Sequence, residues 1–315
     1  MAVRAFCITL AAALLGSAPL EQPEFVCPMD RDIRAKVPGK CSRCGMALVA
    51  GIPEQIEYPL SLEIRPRRAP AGRPLELRFT VEHPRTGERV SRFEEVHEKL
   101  FHLFIVSHDL EFFAHEHPEL ARDATFRLRT VLPKPGIYRL LADFYPEGGT
   151  PQLIPAAITT AGYRRPLLAS VRVPAPDLAP KRAANLEVEL TTEPAQPIAG
   201  KKTLLFFRLK PAGGLEPYLG AWGHLLAASH DLIDALHAHP SITDGAPEQP
   251  WLPVPEGTRE QQPPAAQVSS DSSSTRQVQF DLFFPRPATY RIWVQFQRRG
   301  VVNTAAFTVP VSALR

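Results

Sequence analysis

The sequence is poor in sulfur, in net charge and in long apolar runs. It has four cysteines and three methionines among 315 residues, and a formal net charge of only +3. No basic stripe, recognition-helix motif or base-stacking motif is present, so nothing in the sequence favours nucleic-acid binding. Beyond the N-terminal region, no segment is long and apolar enough for a transmembrane helix. The 34 prolines favour short strands, turns and linkers over long helices.

The N-terminal residues have the pattern of a secretory signal peptide. Arg4 precedes an apolar run over 5–16 that is too short to span a bilayer, and Gly16-Ser17-Ala18 is a small-residue cleavage site. We therefore expect residues 1–18, with Cys7, to be removed and the mature protein to be periplasmic or secreted. The alternative is a buried N-terminal helix, but this segment has no polar helical face.

All cysteines after residue 18 lie in one short stretch. Residues 25–49 read FVCPMDRDIRAKVPGKCSRCGMALV and also contain both later methionines. Each methionine follows a cysteine at a distance of two residues. Thiolates and thioethers are soft donors that favour Cu(I) or Ag(I), and thiolates also bind Zn(II). The sequence therefore predicts a metal-binding module over 22–52. Its candidate ligands are Cys27, Met29, Cys41, Cys44 and Met46.

This stretch resembles the heavy-metal-binding domain of copper-transporting P-type ATPases and of periplasmic adaptors of silver and copper efflux pumps. The Cys-Pro-Met and Pro-Gly-x-Cys-x-x-Cys-Gly-Met elements match that family. Asp30, Arg31 and Ser42 replace a histidine and two prolines of the family pattern, and the missing histidine changes the donor set. The resemblance implies heavy-metal binding, with an efflux or transport system as partner. The alternative is a disulfide between Cys41 and Cys44 that staples a small knob.

The rest of the chain repeats itself. One copy starts near LSLEIRPRRAPAGRPLELRFTV and the other near ANLEVELTTEPAQPIAGKKTLLFFRL, and Tyr138-Arg139 and Tyr290-Arg291 mark equivalent positions. Period-two alternation with β-branched and aromatic residues predicts strands. Each copy has about 100 residues, the size of an immunoglobulin-like domain. The sequence therefore predicts a mainly β protein, with a small Cys/Met module and two immunoglobulin-like β-sandwich domains from an internal duplication.

Composition marks the expected domain boundaries. We place the first sandwich at 57–165 and the second at 185–311. The stretch 173–184 is a linker that proline stiffens. The second copy carries an insertion, 241–276, that is rich in Pro, Gln and Ser and is predicted to be a mobile surface loop.

Eight of the ten histidines lie in two copies of one motif, H-x5-H-x6-H-x-H-P. The copies are HLFIVSHDLEFFAHEHP at 102–118 and HLLAASHDLIDALHAHP at 224–240. In an extended segment both histidines of His-x-His point to one face, and a hairpin return brings the first histidine opposite them. The motif therefore predicts one metal cluster in each copy, with His83 and His97 outside both. The candidate ligands are His102, His108, His115 and His117 in the first copy and His224, His230, His237 and His239 in the second.

The turn of each hairpin supplies a candidate fourth donor. His108 or Asp109 either binds the metal or orients another ligand, and His230 and Asp231 correspond to them. Imidazole suits a borderline ion such as Cu(II) or Zn(II). A purely structural role stays open, in which His102 and other histidines are hydrogen-bonded core residues.

The repeats also resemble secreted β-sandwich domains with an H-L-x-x-x-S-x-D-L…H-x-H-P signature, which accompany metal-handling modules. We expect an exported, non-enzymatic protein that binds a heavy metal, with copper favoured and silver or zinc as the other ions. It would sequester the metal or transfer it to an efflux system. One alternative is a structural or partner-binding tandem sandwich. Another is a copper or zinc enzyme with a three-histidine site, although no general base is evident and the sandwiches lack the Cys and Met of a blue-copper site.

Overall fold

The computed structural model describes residues 25–29, 33–43, 45–51, 56–166, 171–240 and 275–314. All regular elements in these ranges are β-strands. No helix in the described ranges has the length and apolarity needed to cross a membrane. The expected signal peptide, Cys44 and positions 241–274 of the expected loop lie outside the described residues.

The N-terminal module is a small antiparallel sheet. Strand β1 (Phe25–Val26) lies between β2 (Arg34–Ala35) and β3 (Val49–Ala50). A turn before β3 is closed by a 2.9 Å hydrogen bond from the Gly45 N–H to the Cys41 carbonyl. Gly45 has φ +77°, a conformation that glycine adopts without steric cost. The glycine of the Cys-x-x-Cys-Gly motif is therefore needed for the turn, and the cysteines of the motif are the candidate metal ligands.

The first repeat consists of two four-stranded antiparallel sheets. The strands of its outer sheet are β4 (Leu60–Arg65), β5 (Pro74–Val81), β8 (Glu119–Leu120) and β9 (Thr125–Val131). The strands of its inner sheet are β6 (Phe101–Ser107), β7 (Phe113–Glu116), β10 (Ile137–Phe144) and β11 (Gln152–Thr159). The strand orders are β4-β5-β9-β8 and β11-β10-β6-β7.

The second repeat has the same arrangement. The strands of its outer sheet are β12 (Lys181–Arg182), β13 (Glu187–Glu193), β14 (Lys202–Lys210) and β18 (Arg276–Phe283), in the order β12-β13-β14-β18. The strands of its inner sheet are β15 (Leu215–Glu216), β16 (His224–Ser229), β17 (Ala235–Ala238), β19 (Ala288–Arg298) and β20 (Val301–Val311). Strand β19 pairs with β16, with β20 and with the short β15.

Alternating side chains build one core inside each repeat. In β5 and β14 every second residue is buried, as a strand with one face on a core requires. Phe79 and Phe101 belong to the core of the first repeat, and Phe207 and Phe280 belong to that of the second. The prediction of two tandem β-sandwich domains is confirmed.

The inner sheets of the two repeats pack against each other. Every residue of β6 and of β16 is buried, because one face covers its own core and the other faces the opposite repeat. Phe113 stacks on Trp293 across this contact, with ring centroids 5.1 Å apart. The buried residues of the shared cluster are Phe104, Val106, Leu110 and Leu141 from the first repeat and Leu226, Ala228, Leu232 and Trp293 from the second. The interface is thus a third hydrophobic core.

Candidate metal centre between the two repeats

The repeated histidines lie on the faces of the inner sheets that meet. His102 and His224 stand at the start of β6 and β16. Antiparallel pairing then returns the chain, because β7 pairs with β6 and β17 pairs with β16. The ring centroids of His102 and His117 are 5.0 Å apart, and those of His224 and His239 are 4.8 Å apart. The hairpin return places these side chains together as the sequence predicts.

Two groups of three imidazoles result. In each group, one ring nitrogen from every histidine lies within 4.8 Å of the others. The first group contains His102, His115 and His117. The second contains His97, His224 and His239. The second group therefore includes a histidine of the first repeat. That each of these histidines binds a metal ion stays a prediction.

Sequence reasoning left His97 outside the clusters. This residue lies in a turn closed by reciprocal backbone hydrogen bonds between Val96 and Lys99, and His97 and Glu98 have φ +50° and +62°. The turn directs the His97 ring to the second repeat, where it stacks on His239 with centroids 3.7 Å apart. The spacing of the repeated motif does not predict a role for His97, because the rings that it contacts, His224 and His239, belong to the second repeat.

Backbone carbonyl groups orient the first histidine of each motif. Nε2 of His102 is 2.9 Å from the Val96 carbonyl, and Nε2 of His224 is 2.9 Å from the Tyr218 carbonyl. A carbonyl oxygen only accepts hydrogen bonds, so each Nε2 carries the proton. In the neutral ring, Nδ1 then holds a lone pair that faces the interface.

Side chains of the opposite repeat orient two further rings. The His115 Nδ1–H donates to Gln295 Oε1 at 2.8 Å, and the Gln295 amide N–H donates to the Thr304 hydroxyl at 3.1 Å. The His237 Nδ1–H donates to the Asp143 carboxylate at 2.5 Å. Sequence reasoning missed Asp143 and Gln295, which pair with His102 and His224 in the strand register.

The tautomers leave two lone pairs in close contact. Nδ1 of His102 and Nε2 of His115 are 3.1 Å apart, and in both rings the other nitrogen donates its proton elsewhere. Two acceptors at this distance repel each other unless a cation or a shared proton lies between them. A metal ion bound by both nitrogens would remove the repulsion.

Other ring nitrogens of the cluster are buried without a hydrogen-bond partner in the described residues. They are His97 Nε2, His117 Nε2, His224 Nδ1, His237 Nε2 and His239 Nε2. A buried polar atom without a partner costs about 1–3 kcal/mol. Neutral imidazole nitrogens are ligands of copper and zinc, so the residues present fit a bound ion of this kind.

Burial keeps these rings in the neutral form that binds metal. Loss of solvation, followed by the positive charge of neighbouring imidazoles, lowers the pKa of His97 and His117 to about 3 and that of His102 to about 4. The same causes lower the pKa of three other rings well below the ordinary value. These rings are His115, His224 and His239. No proton therefore competes with a metal ion for them at neutral pH.

The histidines at the hairpin turns are distant from both groups. His108 and His230 follow the ends of β6 and β16. In the first repeat, the six-residue separation between His102 and His108 corresponds to about 20 Å of extended strand. The neighbouring Asp109 accepts a hydrogen bond from Ser107 and pairs with Lys134 at 2.6 Å. Such a distance excludes a shared ion, so the structure corrects the expectation of a fourth donor at the turn.

Asp231 has the same structural role in the second repeat. It accepts a hydrogen bond from Ser229 at 2.7 Å and pairs with Arg286 at 2.5 Å. Both aspartates therefore fix their turns, and neither orients a ligand of the two imidazole groups.

The Cys/Met module packs beside this cluster. Cys27, Cys41 and Met46 are buried against Val96, and Met29 is partly buried there. Met29 also lines a narrow cavity that contacts the histidine cluster. The lining residues on the cluster side include Val96, Lys99, His102, Asp143 and His237. Met29 and the imidazoles of His102 and His237 thus line one cavity.

These features define a tandem β-sandwich protein with a small heavy-metal-binding module and a histidine-rich interface. A family model described as "Domain of unknown function (DUF8832)" matches residues 56–162 and 181–313. Since this match covers more than half of the chain, the protein belongs to that family. A model described as "Heavy metal binding domain" matches residues 25–50, which confirms the expected N-terminal module.

The comparison with curated proteins found no match. Among solved structures, the Escherichia coli adhesin FdeC is 11% identical over 85% of this chain and 69% of its own, with a TM-score of 0.25. The Yersinia pseudotuberculosis adhesin InvE is 9% identical over 79% of this chain, which spans 58% of that protein, with a TM-score of 0.23. A two-domain fibronectin type III segment of chicken tenascin is 10% identical over 81% and 99% of the two chains, with a TM-score of 0.22.

Proposed function

We propose that this is an exported heavy-metal-binding protein that holds copper between its two sandwiches. It sequesters the metal or transfers it to an efflux system, and it is not an enzyme. The observation that carries the proposal is the contact between His102 Nδ1 and His115 Nε2 at 3.1 Å. Both nitrogens are unprotonated when the other nitrogen of each ring donates its hydrogen bond, and a bound cation resolves their repulsion.

A purely structural role explains the cluster less well. Core histidines that only support a fold have hydrogen-bond partners for their buried nitrogens. His102 and His224 have such partners on one side, the carbonyl groups of Val96 and Tyr218. The inward nitrogens of the cluster do not, in the part of the chain that the structure describes. Metal binding accounts for those nitrogens, and a structural role leaves them unexplained.

Copper is the ion that suits both parts of the protein. Thiolates and thioethers favour Cu(I), and imidazole suits copper as well as zinc. The module supplies the first donor type and the interface supplies the second. Zinc suits the thiolates and the imidazoles but gains little from the thioethers of Met29 and Met46, so the combination favours copper.

The burial of the cluster supports storage or transfer over catalysis. His102, His224 and His239 expose only 3%, 1% and 3% of their surface, and an enzyme needs an open position that substrate reaches. Met29 lines the same small cavity as His102 and His237, and a thioether so close to the imidazoles supports transfer of copper between the module and the interface. The signal-peptide pattern of residues 1–18 supports export.

Copper titration of the reduced protein tests this proposal. The protein without residues 1–18 is prepared anaerobically and titrated with Cu(I) in competition with a chromogenic chelator, and with Cu(II) and Zn(II) in parallel. One variant replaces Cys27, Cys41 and Cys44 by alanine. The other replaces the His-x-His pairs, with His115→Ala, His117→Ala, His237→Ala and His239→Ala.

The expected result is that the cysteine variant retains tightly bound copper and the histidine variant loses that fraction. Circular dichroism serves as the folding control. A folded histidine variant that binds as much copper as the parent protein would show that the interface histidines are structural.

A further inference from the structure

The two imidazole groups depart from the symmetry of the repeats. His115 belongs to the first group, but its equivalent in the second repeat, His237, does not belong to the second group. His97 takes that place. His237 instead donates to Asp143 of the first repeat. The second group is therefore incomplete within its own repeat, and a residue from the other domain completes it.

His97 is held in place for this position. Its left-handed backbone, φ +50°, is uncommon for a residue with a side chain, and its ring is only 8% exposed. The ring forms a hydrogen bond to the backbone of Leu219 in the second repeat. Its Nε2 is buried without a partner among the described residues. One nitrogen thus fixes the ring and the other faces His224 and His239.

One ion cannot bind all six imidazoles, because a tetrahedral ion of this kind has four donors. The described residues form two groups of three histidines, and the ring nitrogens of each group lie within 4.8 Å of one another. Three imidazoles on each side therefore suit two neighbouring ions.

The charge of the interface favours monovalent ions. Asp143 is the only carboxylate among the buried residues that the structure describes, and Lys99 adds positive charge near His102 and His117. Two divalent ions would place four positive charges beside one buried carboxylate. Burial of uncompensated charge is costly, so two Cu(I) ions are the more favourable load.

We propose that the interface is a two-copper centre that joins the repeats. One Cu(I) ion is bound by His102, His117 and His115, and the second is bound by His224, His239 and the cross-domain ligand His97. This inference rests on the proposed metal-binding function. It adds the number of ions, their oxidation state and a ligand that lies outside the repeated motif.

Copper stoichiometry of matched variants tests the two-ion centre. The full chain after residue 18 carries Cys27→Ala, Cys41→Ala and Cys44→Ala, so only non-cysteine copper is counted. His97→Asn removes a ligand of the second site, and His117→Asn removes one of the first. Asparagine tolerates the left-handed backbone of residue 97. The control is His83→Asn, because the His83 ring caps a turn by accepting backbone N–H groups, which asparagine also does.

The expected result is two Cu(I) ions per chain in the parent and in His83→Asn. His97→Asn and His117→Asn each retain one, and the double variant retains none. A single ion in the parent, lost from either variant, would overturn the two-ion centre and leave the proposed function intact. Two ions in a folded His97→Asn protein would overturn the role of His97, with His97→Gly as a second variant if asparagine prevents folding. No histidine-dependent copper in the parent would contradict the proposed function itself.

Discussion

At the residue scale, two equivalent tyrosines each secure a corner between sheets. The Tyr138 hydroxyl donates to the Lys134 carbonyl at 2.7 Å, and the Tyr290 hydroxyl donates to the Arg286 carbonyl at 3.1 Å. The same Tyr290 hydroxyl proton is shared with the Asp234 carboxylate, whose Oδ2 lies 3.0 Å from the hydroxyl oxygen. These bonds give a physical reason for the tyrosine that both sequence copies share.

Their phenylalanine variants should therefore differ in stability. Tyr138→Phe loses the neutral hydrogen bond to the Lys134 carbonyl and the longer neutral one that the hydroxyl accepts from the Lys134 N–H at 3.2 Å, and we expect the free energy of unfolding to fall by about 1 kcal/mol. Tyr290→Phe also loses a charged acceptor, so we expect a fall of about 2 kcal/mol. Urea denaturation at pH 7 measures both values. Equal losses, or a smaller loss for Tyr290→Phe, would contradict the hydrogen-bond assignment.

Acid should destabilise the metal-free protein well above the pH at which carboxylates titrate. The folded pKa values of His97, His102 and His117, about 3, 4 and 3, lie below the unfolded value of about 6.5. The unfolded chain therefore binds protons first as the pH falls, and the free energy of unfolding decreases from about pH 6.5 downward to about pH 4. Urea denaturation midpoints at pH 7.5, 6 and 5, measured with a chelator present to keep the protein metal-free, report this change in stability. Midpoints that stay constant or rise would show that the rings are not buried and neutral.

The separate groups of site residues were not equally predictable from the sequence. Strand alternation and the hairpin return were enough to place His102 with His117, and His224 with His239. Asp143 and Gln295 could not be found in this way, because they lie far along the chain and meet the histidines across the interface between the repeats. The hairpin-turn histidines were assigned incorrectly, since strand length separates them from the cluster.

At the scale of elements, the turn between Val96 and Lys99 determines where His97 points. His97 and Glu98 both have a left-handed backbone, as the central residues of a type I′ turn do. The turn needs two unfavourable conformations, and Glu98 is exposed. This position is therefore suited to testing the backbone without removing a contact of the cluster.

Substitutions of Glu98 should change stability in opposite directions. Glu98→Gly relieves the left-handed strain, and we expect the free energy of unfolding to rise by about 1 kcal/mol. Glu98→Val adds a β-branched side chain to the same conformation, and we expect a fall of about 1 kcal/mol with weaker copper binding at His97. Thermal unfolding and copper titration measure these effects. A destabilising glycine together with a neutral valine would contradict the turn conformation.

At the scale of the whole molecule, the contact between the inner sheets makes the two sandwiches one unit. The histidine groups lie at one end of this contact, and the stack of Phe113 on Trp293 lies within it. The duplication and the two sandwiches could be predicted from local patterns. The mode of packing could not, although the uninterrupted burial of β6 and β16 reflects it, because contacts between domains leave no periodic signal in either copy.

Weakening the interface should therefore weaken copper binding. Phe113→Ala removes the ring that stacks on Trp293. We expect a loss of about 2 kcal/mol, below the ~3–5 kcal/mol of a fully buried phenylalanine, with looser copper binding by the ligands that span both repeats. Ile233→Ala is the control, because Ile233 is 70% exposed and should have little effect. Unchanged copper affinity in a destabilised Phe113→Ala protein would show that copper binding does not depend on the packing of the interface.

The central claim is that copper lies between the two repeats, bound by imidazoles from both. Anomalous diffraction at the copper absorption edge, from crystals of the copper-loaded protein, tests this most directly. The account predicts one peak among His102, His115 and His117 and a second among His97, His224 and His239. Copper density only beside the sulfur side chains of Cys27 and Cys41, with none at the interface, would contradict it.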